Sequence, residues 1–472
     1  MKKRIWLILL SIILVIFIAL FLFRHVIIGH ALKISINKKT KQTVALNIGD
    51  VHYNVLNSSV TFVNSDLSFN NIYVNKEKTI ELSELKFDEI SLHGISVFRL
   101  IFKEELVASK FFVAKPTFWF EENHNPQQFK KRPREIVKSL KQHSDLLGDF
   151  VIIVDEIEIT HGNVDLTSLI DLDDHSGSAK FKLLLRNFNT SKEQIFEEDR
   201  FLFAKEHFFK LSNFNYSLPS GDQLSFDSIV FGSESDNITV SNIVANVMGE
   251  SIHKSVKSLN VQINELLVGG IDFEDITELH EINIEQITIS NVIANIIENE
   301  NITSKSRPDS TERKSDLKKV FDKINLGNLK LNNINLLAKK VSGDTIAEFK
   351  NLDFQVSNII VDSSVIASKI PKLDFESIDL KLAEFILNKK TLGLDITFRD
   401  FIFNENTEVI SISDLHVDDK VIGKHSYFVD ADLIELSGVS IEDYLNKKFM
   451  KVGLTITNPV ADIDIIQIHK RK

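Results

Sequence analysis

The chain has 472 residues, 43% hydrophobic and 26% charged, with a net charge of −11 and no cysteine. The missing cysteine excludes disulfides and cysteine-rich zinc sites, and the lack of a basic patch beyond the N-terminal region argues against a nucleic-acid partner. Phenylalanine is abundant (35) beside 2 tryptophans and 5 tyrosines, a balance that suits a dry apolar lining better than a polar interface.

Residues 1–32 read as a membrane anchor with a basic N-terminus. Met1-Lys2-Lys3-Arg4 is followed by a 19-residue apolar run, Ile5 to Phe23, whose one polar residue is Ser11. As a helix that run spans about 28 Å, close to the roughly 30 Å of a bilayer core. It exceeds the apolar region of about 7–15 residues found in a cleaved signal peptide. Basic residues lie on both sides of it, Lys2, Lys3 and Arg4 before and Arg24, Lys33, Lys38, Lys39 and Lys41 after, so charge alone leaves the orientation open.

From about Leu46 onward the hydropathy has a period of two, as in Glu156-Ile157-Glu158-Ile159-Thr160 and Ile378-Asp379-Leu380-Lys381-Leu382. Such alternation predicts strands with one apolar and one solvated face. Turn signals such as Ser220-Gly221-Asp222 and Ser342-Gly343-Asp344 separate the runs.

A short cassette recurs three times: Gly94-Ile95-Ser96-Val97, Gly270-Ile271-Asp272-Phe273 and Gly438-Val439-Ser440-Ile441, with the glycines 176 and 168 residues apart. Each has an alternating stretch before it and a short amphipathic, helix-like run after it. A second alternating stretch then ends at Pro116, Val292 or Pro459. The expectation is strand, tight turn at Gly94, Gly270 or Gly438, short helix capped by Ser96, Asp272 or Ser440, and strand. Asp155 to Val164 also matches Gly327 to Leu336 at an offset of 172. Together these matches predict a repeat of about 170 residues.

Two segments have helical periodicity, Pro133 to Leu147 with Gly148 as C-cap, and Ser315 to Ile324. Both follow polar stretches, which sets boundaries at residues 1–32 for the anchor, 33–121 for a shortened first β unit, 122–297 for a linker helix and second β unit, and 298–472 for a linker helix and third β unit. The predicted fold is mainly β: an N-terminal transmembrane helix, then an elongated, repeated antiparallel β-sheet, as a curved groove or as stacked sandwiches, with a few short helices.

No nucleophile elbow, His-Glu-x-x-His, phosphate-binding loop, dinucleotide fingerprint or calcium loop is present. No catalytic residue, metal site or cofactor is expected. His416 and Asp418 share a strand face and read as solvated. Asp171-Leu172-Asp173-Asp174 reads as a loop.

An N-terminal anchor followed by repeated short strands resembles the AsmA-like family of bacterial envelope proteins. The stretch from Ile90 to Phe120, with Lys115-Pro116, carries the resemblance best. Asn458-Pro459 matches that pattern and Asn291-Val292 departs from it. The resemblance implies an inner-membrane, single-pass protein with its body in the periplasm, and a β groove that binds or conducts phospholipids between membranes, with a role in lipid transport or outer-membrane homeostasis. Its partners would be phospholipids, the inner membrane through residues 5–23, and other envelope proteins. Lipid-groove candidates are Ile159, Leu331, Phe354 and Ile456. The alternative is a non-enzymatic structural or scaffolding protein whose β cores are closed. A groove-facing isoleucine and a core isoleucine are identical in sequence.

Overall fold

The computed structural model describes residues 44–47, 49–54, 57–69, 80–103, 105–122, 151–168, 176–191, 194, 200, 203–218, 220–248, 256–271, 281–298, 323–362, 375–389, 393–421, 425–441 and 451–465. The expected span at 5–23 and the expected helix at 133–147 lie outside them. Of the helix expected at 315–324, only the last two residues are described, and they begin a strand. No helix among the described residues is long and apolar enough to cross a membrane.

The described chain is mainly β and divides into two units, broken near Phe214. In the first, β1 (Val44–Asn47) and β2 (Asp50–Asn54) both pair antiparallel with β3 (Ser59–Phe69), which pairs with β4 (Ile80–His93). A short helix, α1 (Val97–Phe102), precedes β5 (Glu105–Ala114) and β6 (Thr117–Glu122), both antiparallel to β4. The next strand, β7 (Val151–Ser168), lies parallel to β5 and β6 and antiparallel to β8 (Ser176–Asn189). Then come β9 (Glu206–Ser217), most of which lies in the first unit, and β10 (Gln223–Gly232), which up to Phe231 belongs to the second.

The second unit continues through β11 (Asn237–Met248), β12 (Val256–Ile271) and β13 (Glu281–Glu298), antiparallel in succession. Next, β14 (Lys323–Lys340) lies parallel to β13. An antiparallel run follows: β15 (Thr345–Asp362), β16 (Ser377–Lys389), β17 (Leu394–Asn404), β18 (Val409–Val421) and β19 (His425–Ser437). Finally β20 (Gly453–Thr457) and β21 (Val460–Ile465) both pair with β19.

The ladders show the repeat directly. The trio β3, β4 and β5/β6 has the pairing of β11, β12 and β13 and of β18, β19 and β20/β21. The first two trios are each followed by a parallel partner, β7 or β14. Parallel neighbours need a long crossover, and the chain between Glu122 and Val151, or between Glu298 and Lys323, is long enough to supply one. Among the described ladders the expectation of an antiparallel sheet therefore holds except at these junctions.

A left-handed residue interrupts most strands at a matched height. In the second unit these include Asn242 (φ 51°), Asn291 (56°), Asn333 (55°), Asn351 (51°), Asp400 (48°), Asp414 (48°) and Asn458 (49°). In the first unit, Asn64 (49°), Lys115 (47°) and His161 (54°) occupy the corresponding row. Asparagine and aspartate tolerate this region better than other side-chain-bearing residues. Side-chain bonds tie the row together: Asn333 Nδ2 donates to Asn291 Oδ1 (2.7 Å), and Asn458 Nδ2 donates to Asp432 Oδ2 (2.7 Å).

A second row of this kind contains the cassette glycines. Gly94 and Gly270 both have φ of 63°. Gly270 lies inside β12 rather than in a turn after it, and a Cβ there would collide with Glu285 while holding a left-handed backbone. Gly343, in the turn before β15, has φ of 95° but open space where a Cβ would lie. Replacing Gly343 with alanine should therefore cost about 1 kcal/mol, the backbone penalty alone. Gly270→Ala should cost about 2–4 kcal/mol, because overpacking adds to it. Chemical denaturation of the two variants checks the difference, and equal losses would contradict it.

Candidate functional site: an apolar sheet face

Each kink carries one residue more than a strict alternation needs. In β17 the apolar positions are 396 and 398 before Asp400, and 401 and 403 after it. An uninterrupted strand would send Phe398 and Phe401 to opposite faces. Their rings instead lie 6.1 Å apart, and Phe398 stacks on Phe385 at 4.9 Å. The left-handed residue thus works as a bulge that returns the apolar set to one side. The same three-residue step occurs at Val240/Ile243, Ile289/Val292 and Leu331/Ile334.

The result is a face that stays apolar across strand after strand. Following the register from β11 to β20, one row reads Val240, Leu266, Ile289, Leu331, Phe354, Leu380, Phe403, Ile410, Leu436, Leu454. The adjacent row on the opposite face reads Thr239, Leu267, Thr288, Lys330, Gln355, Asp379, Asn404. In the first unit, Val51, Phe62, Ile90, Val113, Ile159 and Leu183 form an apolar row of the same kind.

Burial shows how far this face is covered. In a closed two-layer core, central-strand positions would be sealed. Val240 and Phe403 are buried, but Leu266, Ile289, Leu331, Phe354, Leu380, Ile410 and Leu436 are half-buried, and Leu454 is exposed. The four lipid-groove candidates all fall on apolar rows. Ile159 pairs between Val113 and Leu183, Leu331 between Ile289 and Phe354, and Phe354 between Leu331 and Leu380. Ile456 pairs with Ile434 near the sheet edge and is 43% exposed. A cleft of about 580 Å³ lies along the second kink row, lined by Gly270, Ile284, Leu326, Gly327, Asn358 and Ile359.

The cassette residues have mixed roles. Gly438 has φ of 76°. Ser96 is the N-cap of α1, but its side chain makes no capping bond. Its backbone N–H donates to Val107 O (2.9 Å), so the sheet fixes this residue. Asp272 lies outside the described residues. The Ser440 hydroxyl donates to Glu405 Oε1 (3.1 Å), and the same carboxylate accepts the Ile441 N–H. Glu405 thus satisfies one backbone donor next to Ser440, a different one from the N2 or N3 N–H that a serine cap would take. His416, expected to be solvated, pairs with Asp430 across the ladder at 2.7 Å. Sequence reasoning missed the asparagine kinks. Their signal is a polar doublet, such as Ser290-Asn291 or Asn332-Asn333, where the alternation slips by one.

The opposite face carries partly exposed charge. Lys110 lies 2.8 Å from Glu156 and 2.6 Å from Glu158, and Arg186 lies 3.4 Å from Glu206. The hydrogen bond to Glu156 is the main cause raising the Lys110 pKa above its ordinary 10.5. The same bond holds the Glu156 carboxyl below its ordinary 4.5.

No protein-family model matches this chain, and no curated protein matches it. Among solved structures, the crystal structure of the sex pheromone staph-cAM373 precursor aligns with 73% of this chain and 89% of that chain, at 9% identity and a TM-score of 0.13. A likeness this slight bears on neither fold nor function.

The pH dependence of the Lys110–Glu156 pair follows from the directions of its shifts. The depressed carboxylate contributes above 4.5, and this is lost as pH falls through its lower folded value. The raised ammonium contributes below 10.5, and this is lost as pH rises through its higher folded value. Partly exposed ion pairs are worth about 0–1 kcal/mol. Lys110→Met should therefore cost under about 1 kcal/mol at neutral pH and flatten the acid limb of the stability curve. Denaturation from pH 3 to 8 checks this, and a cost of several kcal/mol would contradict it.

Proposed function

We propose that the chain is a membrane-anchored protein of the bacterial envelope that holds phospholipid acyl chains against the apolar face of its sheet. The single observation behind this reading is the row of half-buried Ile, Leu, Val and Phe side chains continuing from β11 to β20. Apolar patches of this extent mark an interaction surface, and an acyl chain is a linear, wholly apolar ligand that can follow a continuous stripe.

The energetics favour such a ligand without any directed chemistry. Each methylene removed from water contributes about 0.8 kcal/mol, so two acyl chains gain far more from a continuous face than from an isolated pocket. Along one row the ligand meets only aliphatic and aromatic groups, and no step along it requires a polar headgroup to leave water. The other face, with Lys330, Gln355, Asp379 and Asn404, is half-buried to the same degree, so its polarity rather than its exposure is what directs the ligand to the first face. Residues 5–23 supply the anchor that places this surface beside a bilayer, and the resemblance to the AsmA-like family points to the inner membrane and the periplasm. Lipid transport is then a matter of sliding along the face.

The full chain extracted in mild detergent should carry phospholipid detectable by mass spectrometry after organic extraction. Leu331→Glu with Phe354→Glu should reduce that lipid several-fold in protein that keeps its β circular dichroism. Lys330→Glu with Gln355→Glu, on the other face, should leave it unchanged. A lipid-free, monodisperse protein would overturn the reading and favour a scaffold, and equal effects from the two faces would also overturn it.

A further inference from the structure

We propose that α1 is a membrane-contact helix, whose Phe98 and Phe102 rings sit in the headgroup region of the bilayer that holds the anchor. This rests on the membrane-anchor reading of residues 5–23. Phe98 is 65% exposed and Phe102 71%, and among the described residues no other large apolar side chain is as bare. Their ring centroids lie 4.9 Å apart, as neighbours one turn apart on a helix do, so the two rings make one apolar patch. Lys103, the next residue, is exposed, and Arg99, between the rings in sequence, pairs with Glu105 at 3.1 Å.

The three cassettes show that these positions are exceptional. Counting from the cassette glycine, Phe98 corresponds to Glu274 and Glu442, Arg99 to Asp275 and Asp443, and Phe102 to Glu278 and Asn446. Polar side chains are what an exposed helix face ordinarily carries. The two later cassettes follow that rule at each of these positions. The first reverses it, with phenylalanine in place of carboxylate or amide and arginine in place of aspartate. A rule kept twice and reversed once points to a different environment around the first cassette, one that takes up apolar rings and disfavours acidic groups.

A bilayer surface with anionic lipid meets both demands. A membrane interface accommodates aromatic rings at the headgroup level with cations beside them, and its negative potential disfavours carboxylates. The first cassette is also the one that follows the anchor most closely in the chain. Residues 24–43 alone separate the expected span from β1, and they hold Arg24, Lys33, Lys38, Lys39 and Lys41 with no acidic residue. Such a segment is drawn to an anionic surface.

The fold fixes α1 close to this entry. Both β1 and β2 pair with β3, and the Gly94 and Ile95 N–H groups donate to Asn57 O (3.3 Å) and Ser58 O (3.0 Å), just beyond β2. With the Ser96 N–H bonded to Val107 O, the lead-in to the helix is held by the backbone on both sides. The helix joins β4 to β5, whose Ile90 and Val113 belong to the apolar row of the first unit. Contact through α1 would thus bring that row to the lipid surface.

The chain has no cysteine, so one introduced cysteine carries a spin label at a single place. The full chain with Phe102→Cys, and separately with Glu274→Cys, is reconstituted in vesicles of phosphatidylethanolamine and phosphatidylglycerol. Collisions of the label with oxygen, which concentrates in lipid, are compared with those of a water-soluble nickel chelate. The label at 102 should be open to oxygen and at least about fivefold less open to the chelate than the label at 274. Adding Phe98→Glu, the residue of the other two cassettes, should remove the shielding at 102 and leave the β circular dichroism unchanged. The proposal is overturned by a label at 102 as open to the chelate as that at 274, or by shielding that survives Phe98→Glu. A label at 102 closed to both reagents overturns it too, since protein would then cover the helix. Flotation with the vesicles separates the two readings. A floating chain with an open label at 102 overturns the contact alone, whereas a chain that does not float overturns the anchor reading and the contact with it.

Discussion

The structure depends on one backbone constraint: each long strand must absorb an extra residue without turning its apolar side chains to the wrong face. A strand has a side-chain period of two, so one inserted residue would reverse every position after it. On most of the strands, though not on β4, β12, β16 or β19, the insertion is taken up by a left-handed residue, usually Asn or Asp, at a matched height. The aligned kinks keep the ladders in register on both sides, as at Ser290/Asn332 and Val292/Ile334 around the paired Asn291 and Asn333. A single kink would disrupt its neighbours, whereas a row of them makes a coherent bend line. Along that line Asn333 Nδ2 donates to the kink residue Asn291, and neighbouring carboxylates accept from the Asn458 side chain and from the Asn333 backbone N–H.

From this constraint follow the two faces. Because the alternation is restored after each kink, Ile, Leu, Val and Phe gather on one side over the whole length of the strands. Lys, Asp, Asn and Thr gather on the other. The apolar side is half-buried by neighbouring rows of its own sheet, which supplies stability, and half open, which leaves surface for a ligand. Residues sealed from solvent on that side, such as Val113, Leu185 and Phe403, are few. The charge pairs of the opposite face add little energy by comparison. Their contribution is to keep that side wet.

Much of this architecture was legible in the sequence, for identifiable reasons. Period-two hydropathy marked the strands, and the spacing of Gly94, Gly270 and Gly438 marked the repeat, because a left-handed position with no room for a Cβ admits only glycine. Three features were harder to read. Gly270 looked like a turn because left-handed backbone is usually a turn, and nothing local distinguishes it from a kink within a long strand. The parallel junctions depend on crossovers between repeats, which alternation does not encode. The asparagine kinks were hidden because Asn-containing doublets also occur in loops, and their meaning emerges only when they align across the ladder. Among the site residues, Ile159, Leu331 and Phe354 could be placed on an apolar face by alternation alone. Whether a second layer seals that face is a tertiary property, and burial at Leu331 and Phe354 is what bears on it.

The most direct measurement is photo-cross-linking of the full chain, in a bilayer, with a phospholipid carrying a diazirine on its acyl chain, followed by mapping of the adducts by mass spectrometry. The account predicts adducts on the apolar rows, at Ile289, Leu331, Phe354 and Leu380 and their neighbours, with none at Lys330, Gln355 or Asp379. Adducts confined to residues 5–23, or spread evenly over both faces, would contradict it.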